Sequence, residues 1–344
     1  MLVAIAATAA CSSSGSAPPP KSDADYRQQV ADSMHDALLV DIDEMVRAAE
    51  DLQTIAPVTP GRGWDPQADA QAFDAMKLAW TRARSAYEHV EGAIAPLYPD
   101  IASAVDSRYE EFLAVLGPSG DDYLFDDQGV VGLDAIERIL YSDVTPARVV
   151  AFETGLPGYR ASAFPATEQE ATDFKTKLCA RLVADARSLS QRWTVATIDV
   201  NVAFGGLVSL VSEQGDELDK ASLSAEESRY SQKTMASMRA NLEGTEAAYG
   251  LFREWLLQKD GGGDVDEKIE DGFRAVEVLY AGVQGDAIPL PPPTWNKNHP
   301  SVQDLQTAFG VLYLGVTTAM DPHRDGTVPS EMIREAAILG ITLP

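Results

Sequence analysis

The sequence predicts an all-α fold of two similar helical bundles. Three observations carry that expectation. Apolar residues recur at helical spacing along almost the whole chain, alternation at strand length is scarce, and a hexapeptide recurs about half a chain away. In order, Leu38, Ile42, Met45, Ala49 and Leu52 step by four and three. So do Met76, Trp80, Ala83, Tyr87, Val90 and Ile94, then Phe174, Leu178, Leu182, Leu189 and Trp193, then Met235, Met238, Leu242, Tyr249, Phe252 and Leu256. Each set lines one face of a helix, and its Met and aromatic members read as core packing. Boundary signals agree. Asp65-Pro66 reads as a cap followed by proline at the first helical position, and Thr145-Pro146 as the start of a shorter helix. Thr167 with Glu170 forms a capping-box pattern. Gly261-Gly262-Gly263 reads as the end of one helix, with Asp264 capping the next.

Gly132-Leu133-Asp134-Ala135-Ile136-Glu137 and Gly272-Phe273-Arg274-Ala275-Val276-Glu277 are 140 residues apart. A length of 344 residues suits about two domains. The expected division is residues 24–165 and 166–344, split near Pro165, after an N-terminal segment of residues 1–23. A cleft between two bundles is a common place for a ligand.

With 53 acidic and 27 basic residues the net charge is −26. That argues against nucleic acid and against anionic lipid headgroups, and leaves a cation or a basic partner. Four histidines and two cysteines cannot build a thiolate zinc cluster. No apolar run reaches membrane-spanning length.

Residues 1–10 are small or apolar and lead through Thr8-Ala9-Ala10 to Cys11, followed by a Ser/Gly/Pro stretch. This resembles a bacterial lipoprotein signal, which implies cleavage before Cys11, lipidation of its thiol, and a flexible tether up to residue 23. The membrane would then be reached only through that anchor. Cys179 is left alone, reads as a small buried apolar residue, and has no disulfide partner in a mature chain.

Arg84, Glu88 and Glu91 share one helix face, one residue beyond the Trp80/Tyr87 stripe. Asp134, Glu137 and Tyr141 stand likewise beside Leu133, Ile136 and Leu140. Two helices therefore carry acids at the edges of their packed faces. Brought together, such acids repel, and burial raises their pKa values unless a cation or Arg84 relieves them. Oxygen ligands suit Ca²⁺, Mg²⁺, Mn²⁺ or ferric iron better than zinc. The alternative is ordinary: acids solvated, or paired with Arg84 and Arg138. There is no His-Glu-x-x-His, Gly-x-Ser-x-Gly or phosphate-cradling loop. His35 and His89 read as surface or core-edge residues, and His299 and His323 as loop residues. The stretch from Pro289 to Pro293, before Trp295, reads as a rigid surface connection.

Three stretches resemble the imelysin-like family, which includes imelysin metallopeptidases and the EfeO/EfeM-like proteins of bacterial iron uptake. They are Trp80-x-x-x-Arg84-x-x-Tyr87-Glu88-x-x-Glu91, then Gly132 to Glu137 where the family has Gly-x-His-x-x-Glu, then Glu226-Glu227-Ser228-Arg229-Tyr230-Ser231 with Asn241-Leu242-Glu243-Gly244. The resemblance implies two four-helix-bundle halves, a site near their junction, and a periplasmic or cell-surface location. Asp134 stands where the family has His, and Gln232 where the iron-uptake members have another. The first change keeps a ligand but hardens the site, moving the expectation from zinc toward a harder ion or none, and away from peptidase chemistry. Too few residues precede position 24 for the cupredoxin-like domain that some iron-uptake relatives carry.

The reading that follows is a lipid-anchored protein binding a divalent or ferric ion, with iron, calcium and zinc as the candidates. Asp134, Glu137, Glu88 and Glu91 are its candidate ligands, with Arg84, Tyr230 and Ser231 beside them. An uptake permease or another envelope protein is the expected partner. The alternatives are a metallopeptidase holding zinc at Asp134 and Glu137, with another Glu activating water, and a metal-free interaction scaffold.

Overall fold

A computed structural model describes residues 21–117 and 123–344. Cys11 and most of the expected tether lie outside the described residues. Its helices are α1 (Asp23–Ile55), α2 (Ala70–Leu97), α3 (Pro99–Asp106), α4 (Tyr109–Leu116), α5 (Gly132–Leu140), α6 (Ala147–Glu153) and α7 (Glu168–Asp173). Next, α7 passes through a π-helical turn (Phe174–Leu178) into α8 (Cys179–Thr194), followed by α9 (Val200–Ser222) and α10 (Thr234–Gly250). The chain closes with α11 (Arg253–Leu256), α12 (Gly262–Ala281), a 3₁₀ turn (Asp304–Gln306), α13 (Ala308–Ala319) and α14 (Val328–Leu339). No strand occurs among the described residues; Thr59 and Arg62 form a lone bridge.

The apolar stripes read from the sequence are the buried faces. Leu38, Ile42, Met45, Ala49 and Leu52 of α1 are buried, as are Met76, Trp80, Ala83, Tyr87, Val90 and Ile94 of α2. Ser22 caps α1 in a box with Asp25, and Thr167 caps α7 in a box with Glu170. Pro146 sits at the cap of α6, one residue after Thr145.

Two boundaries differ from expectation. The Asp65 carboxylate accepts from the Gln67 and Ala68 amides, but the chain turns there and α2 begins only at Ala70. A local Asx-type cap therefore closes a turn without launching the helix. The three glycines do not end a long helix. Gly261, at φ +79°, is the cap of α12, and Asp264 lies inside its first turn.

The long α2 is the axial helix. It packs on α1 on one side and on α9 and α10 on the other, and it also touches α3 and α5. Helices from before and after Pro165 share one apolar cluster. Close approach is made possible by glycines. A Cβ at Gly206 of α9 would lie 1.9 Å from the Gly92 carbonyl oxygen, and one at Gly244 of α10 would lie 2.2 Å from the His89 carbonyl oxygen. The two related hexapeptides sit in different settings. Gly132 opens α5 at φ +85°, whereas Gly272 lies within α12 against Val328.

Candidate functional site

The acids of α2 and α5 lie deeper than their spacing suggests. All nine residues of α5 are buried. Its N-terminus is pressed onto the end of α3, where a Cβ at Gly132 would sit 2.4 Å from the Val105 carbonyl oxygen. Trp80 Nε1 donates to the Leu133 carbonyl at 3.0 Å, tying α5 to α2. Enclosed on all sides, Asp134 and Glu137 are interior groups instead of edge groups, and Glu88 is buried with them. A sequence stripe records the angle around one helix and carries no information about how many neighbours surround it.

Arg84 is the centre of the cluster. It is 3% exposed and its guanidinium meets acids from four elements. Its Nε lies 2.5 Å from Glu88 Oε1 and its Nη1 3.7 Å from Asp134 Oδ1. It also pairs with Asp106 at the end of α3 and with Glu227 of the α9–α10 loop. Neither carboxylate oxygen of Asp134 has a hydrogen-bond partner among the described residues. Glu137 Oε1 accepts from the Ser231 amide at 2.7 Å. One guanidinium does not neutralise this many acids. Burial pushes Asp134 up to about 7, against the pull of Arg84. Burial, reinforced by Asp134, pushes Glu137 up to about 8. Glu88 and Asp106 are pushed well above the carboxylate range by burial.

The loop of residues 223–233, between α9 and α10, folds over this cluster. Ser224, Ser228 and Gln232 adopt φ +64°, +39° and +59°, a left-handed backbone that non-glycine residues seldom take. The loop is fastened at several points. Glu227 pairs with Arg84, Glu226 pairs with Arg148, and the Ser231 amide donates to Glu137. Arg229 makes a two-point contact with Glu110 of α4 at 2.5 and 3.0 Å.

Tyr230, expected beside the α2 and α5 acids, instead belongs to an adjoining buried network. Its hydroxyl donates to Glu153 of α6, which also accepts from Arg138 Nε at 3.2 Å. Arg138 in turn stacks on Tyr109 at 3.7 Å. Arg84 and Arg138, both expected as pairing partners for the acids, thus serve two different networks. Gln232 accepts from Arg148 at 3.0 Å through its side-chain oxygen.

Outside Arg84, a cavity of about 230 Å³ opens between α2, α3 and α9. Glu91, Asp106, Glu111, Glu213, Glu217 and Glu227 line it, against Arg108 and Lys220. Both basic groups lean on Glu217, at 3.4 and 2.6 Å. That leaves Glu91 and Glu213 facing the cavity without a paired cation among the described residues. Desolvation, then the nearby Glu227, push Glu91 up to about 8, and Glu213 is also raised by desolvation. A second cavity of about 280 Å³ shares Glu91, Ala95, Leu210 and Glu213 with the first, so the two cavities lie side by side along α2 and α9.

The residues expected from sequence therefore divide. Glu88 and Asp134 meet at Arg84, and Glu137 is held by Ser231. Glu91 faces the cavity, and Tyr230 stands apart. Asp106, Glu213 and Glu227 were not singled out. Glu227 lay inside a noted motif, but Asp106 and Glu213 belong to no pattern that spacing reveals. Among the described residues no group of three or more His, Cys, Asp or Glu is gathered closely enough to hold a metal ion. No helix among them is long and apolar enough to cross a membrane.

Comparison with known proteins places this architecture. The imelysin (peptidase M75) family matches residues 24–305. The chain is 23% identical over 205 residues to the iron uptake system component EfeM of Pseudomonas syringae, covering 60% of this chain and 57% of that protein. It is 24% identical over 198 residues to the iron uptake system component EfeO of Yersinia pseudotuberculosis, covering 58% of this chain and 42% of that protein. The chain thus spans about half the length of these relatives. The fold is that of an imelysin-like protein from Psychrobacter arcticum, with a TM-score of 0.58 over 94% of this chain and 98% of the other at 13% identity.

Proposed function

The chain belongs to the imelysin family, and we propose that it captures a hard, oxygen-seeking cation as cargo in the cavity between α2, α3 and α9, as a component of iron uptake. The observation that carries this reading is the excess of acid at that cavity. Six carboxylates line it against two basic side chains, and both basic side chains are engaged by Glu217. Glu91, Asp106, Glu213 and Glu227 are the groups that face an incoming ion. Glu88, Asp134 and Glu137 stand behind them in a water-poor interior, where burial favours their protonated forms. Because the lining acids are spread around the cavity, the ion keeps part of its own water, as small hard cations readily do. Kinship with iron uptake components supports iron as the cargo, and the oxygen-only lining supports a hard ion over zinc. Lipidation at Cys11 would hold the protein in the bacterial envelope, beside a permease or another envelope component that receives the ion.

Calorimetric titration of the protein with Fe²⁺ under argon and with Mn²⁺ tests the reading. One saturable site is expected, weakened about tenfold or more in Glu91→Gln, as loss of a charged ligand implies. Absence of saturable binding in the wild type, or unchanged binding in both Glu91→Gln and Glu137→Ala, would sink it.

A further inference from the structure

We propose that Arg84 is a resident counter-cation: it supplies the one positive charge around which the inner acid cluster closes, and so confines cargo to the outer cavity. The inference rests on the cation-capture reading for the outer cavity, but its own evidence is the geometry around the guanidinium. Four carboxylates, Glu88 of α2, Asp106 of α3, Asp134 of α5 and Glu227 of the 223–233 loop, converge on one buried positive charge. The acids come from four separate elements and meet different nitrogens of the guanidinium, and no neutral side chain would hold them together against mutual repulsion. The guanidinium fills it incompletely. Asp134 is 3% exposed, its closest contact with Arg84 is 3.7 Å, and both of its oxygens remain without hydrogen bonds among the described residues. A planar donor cannot turn toward every oxygen around it, whereas a spherical ion would draw all of them in.

The arrangement has a functional sense. Asp106 and Glu227 face both ways, pairing with Arg84 and lining the outer cavity. With Arg84 in place, these two acids are partly neutralised, and an ion in the cavity is held by fewer free charges and leaves more easily. Arg84 thereby sets affinity low enough for delivery. It also fastens the loop through Glu227, so the inner cluster is closed whether or not cargo is present.

Replacing Arg84 by methionine, which fills similar volume without charge, tests this by titrating the full chain with Mn²⁺ and following Mn²⁺ spectroscopically. Arg84→Met is expected to gain a further Mn²⁺ site, or to bind about tenfold or more tightly than wild type, with a Mn²⁺-dependent rise in melting temperature. Adding Asp134→Asn should remove that gain. A folded Arg84→Met protein with wild-type stoichiometry and affinity overturns the proposal. If Arg84→Met does not fold alone, recovery of helical circular dichroism and a cooperative melt on adding Mn²⁺ supports it. Failure of millimolar Mn²⁺ to restore the fold, while Arg84→Lys folds, overturns it. Wild-type binding is read separately: a wild type that ignores Mn²⁺ refutes the outer-cavity reading, while the gain in Arg84→Met still judges the role of Arg84.

Discussion

Interior acids outnumber the charge that Arg84 supplies, and this has a direct consequence for pH dependence. A carboxyl whose folded pKa is raised holds its proton in the native state while the unfolded chain has already released it. Its contribution is complete below the unfolded value near 4.5 and disappears as pH rises through the folded value, for Glu137 about 8. Stability is therefore expected to fall between pH 5 and pH 8. Glu137→Gln, which keeps the shape and removes the titration, should flatten that fall by a few kcal/mol, on the order expected for a buried acid. Urea midpoints at both pH values provide the check, and an equally steep fall in the variant would refute the assignment. His89 gives a smaller effect of the same sign. Its hydrogen bond to Asp41, at 3.3 Å, raises its pKa, so this contribution is present below about 6.5 and lost as pH climbs past the raised value. The pair is partly exposed, which limits it to ~1 kcal/mol or less. The pH dependence of the melting temperature in His89→Gln should lack this component, and an unchanged profile would contradict it.

At the scale of elements, the site depends on how closely α9 and α10 approach α2. Gly244 sits on the His89 backbone with no room for a Cβ, whereas Gly250, at the end of the same helix, faces open space. Gly244→Ala should cost about 1–3 kcal/mol through overpacking. Gly250→Ala should be neutral or stabilise by up to ~1 kcal/mol through helix propensity. Comparison of the two urea midpoints separates packing from propensity; equal effects would mean that α10 is free to shift. The π-helical turn between α7 and α8 lets Phe174, Leu178 and Leu182 all remain buried along a segment whose register changes.

For the molecule as a whole, α2 ties both sides of Pro165 into one apolar cluster. Urea unfolding is thus expected as one cooperative transition when followed by circular dichroism and by tryptophan fluorescence, with coincident midpoints. Two separated transitions would show that the halves are energetically independent units. Cellular placement is a separate question. If Cys11 carries a lipid, Cys11→Ser should move the protein from the membrane fraction to the soluble envelope fraction and abolish labelling by a fatty-acid probe. Persistent labelling of that variant would exclude this anchor.

Helical character, the buried faces and the family were all legible in the residues, because a 3.6-residue period and short motifs are local properties of a chain. Arg84, Glu88, Asp134 and Glu137 could be singled out for the same reason: each lies at a regular offset within one helix. What spacing did not reveal was depth and company. Asp106 ends a short helix, and Glu213 lies on the ninth helix without a distinguishing pattern. Glu227 comes into place only because a left-handed loop turns it inward. Which acids share one guanidinium, and which face open space, depends on contacts between segments far apart in sequence. Those contacts follow from glycine-permitted helix approach and from the enclosure of α5, and only the packed tertiary structure decides them.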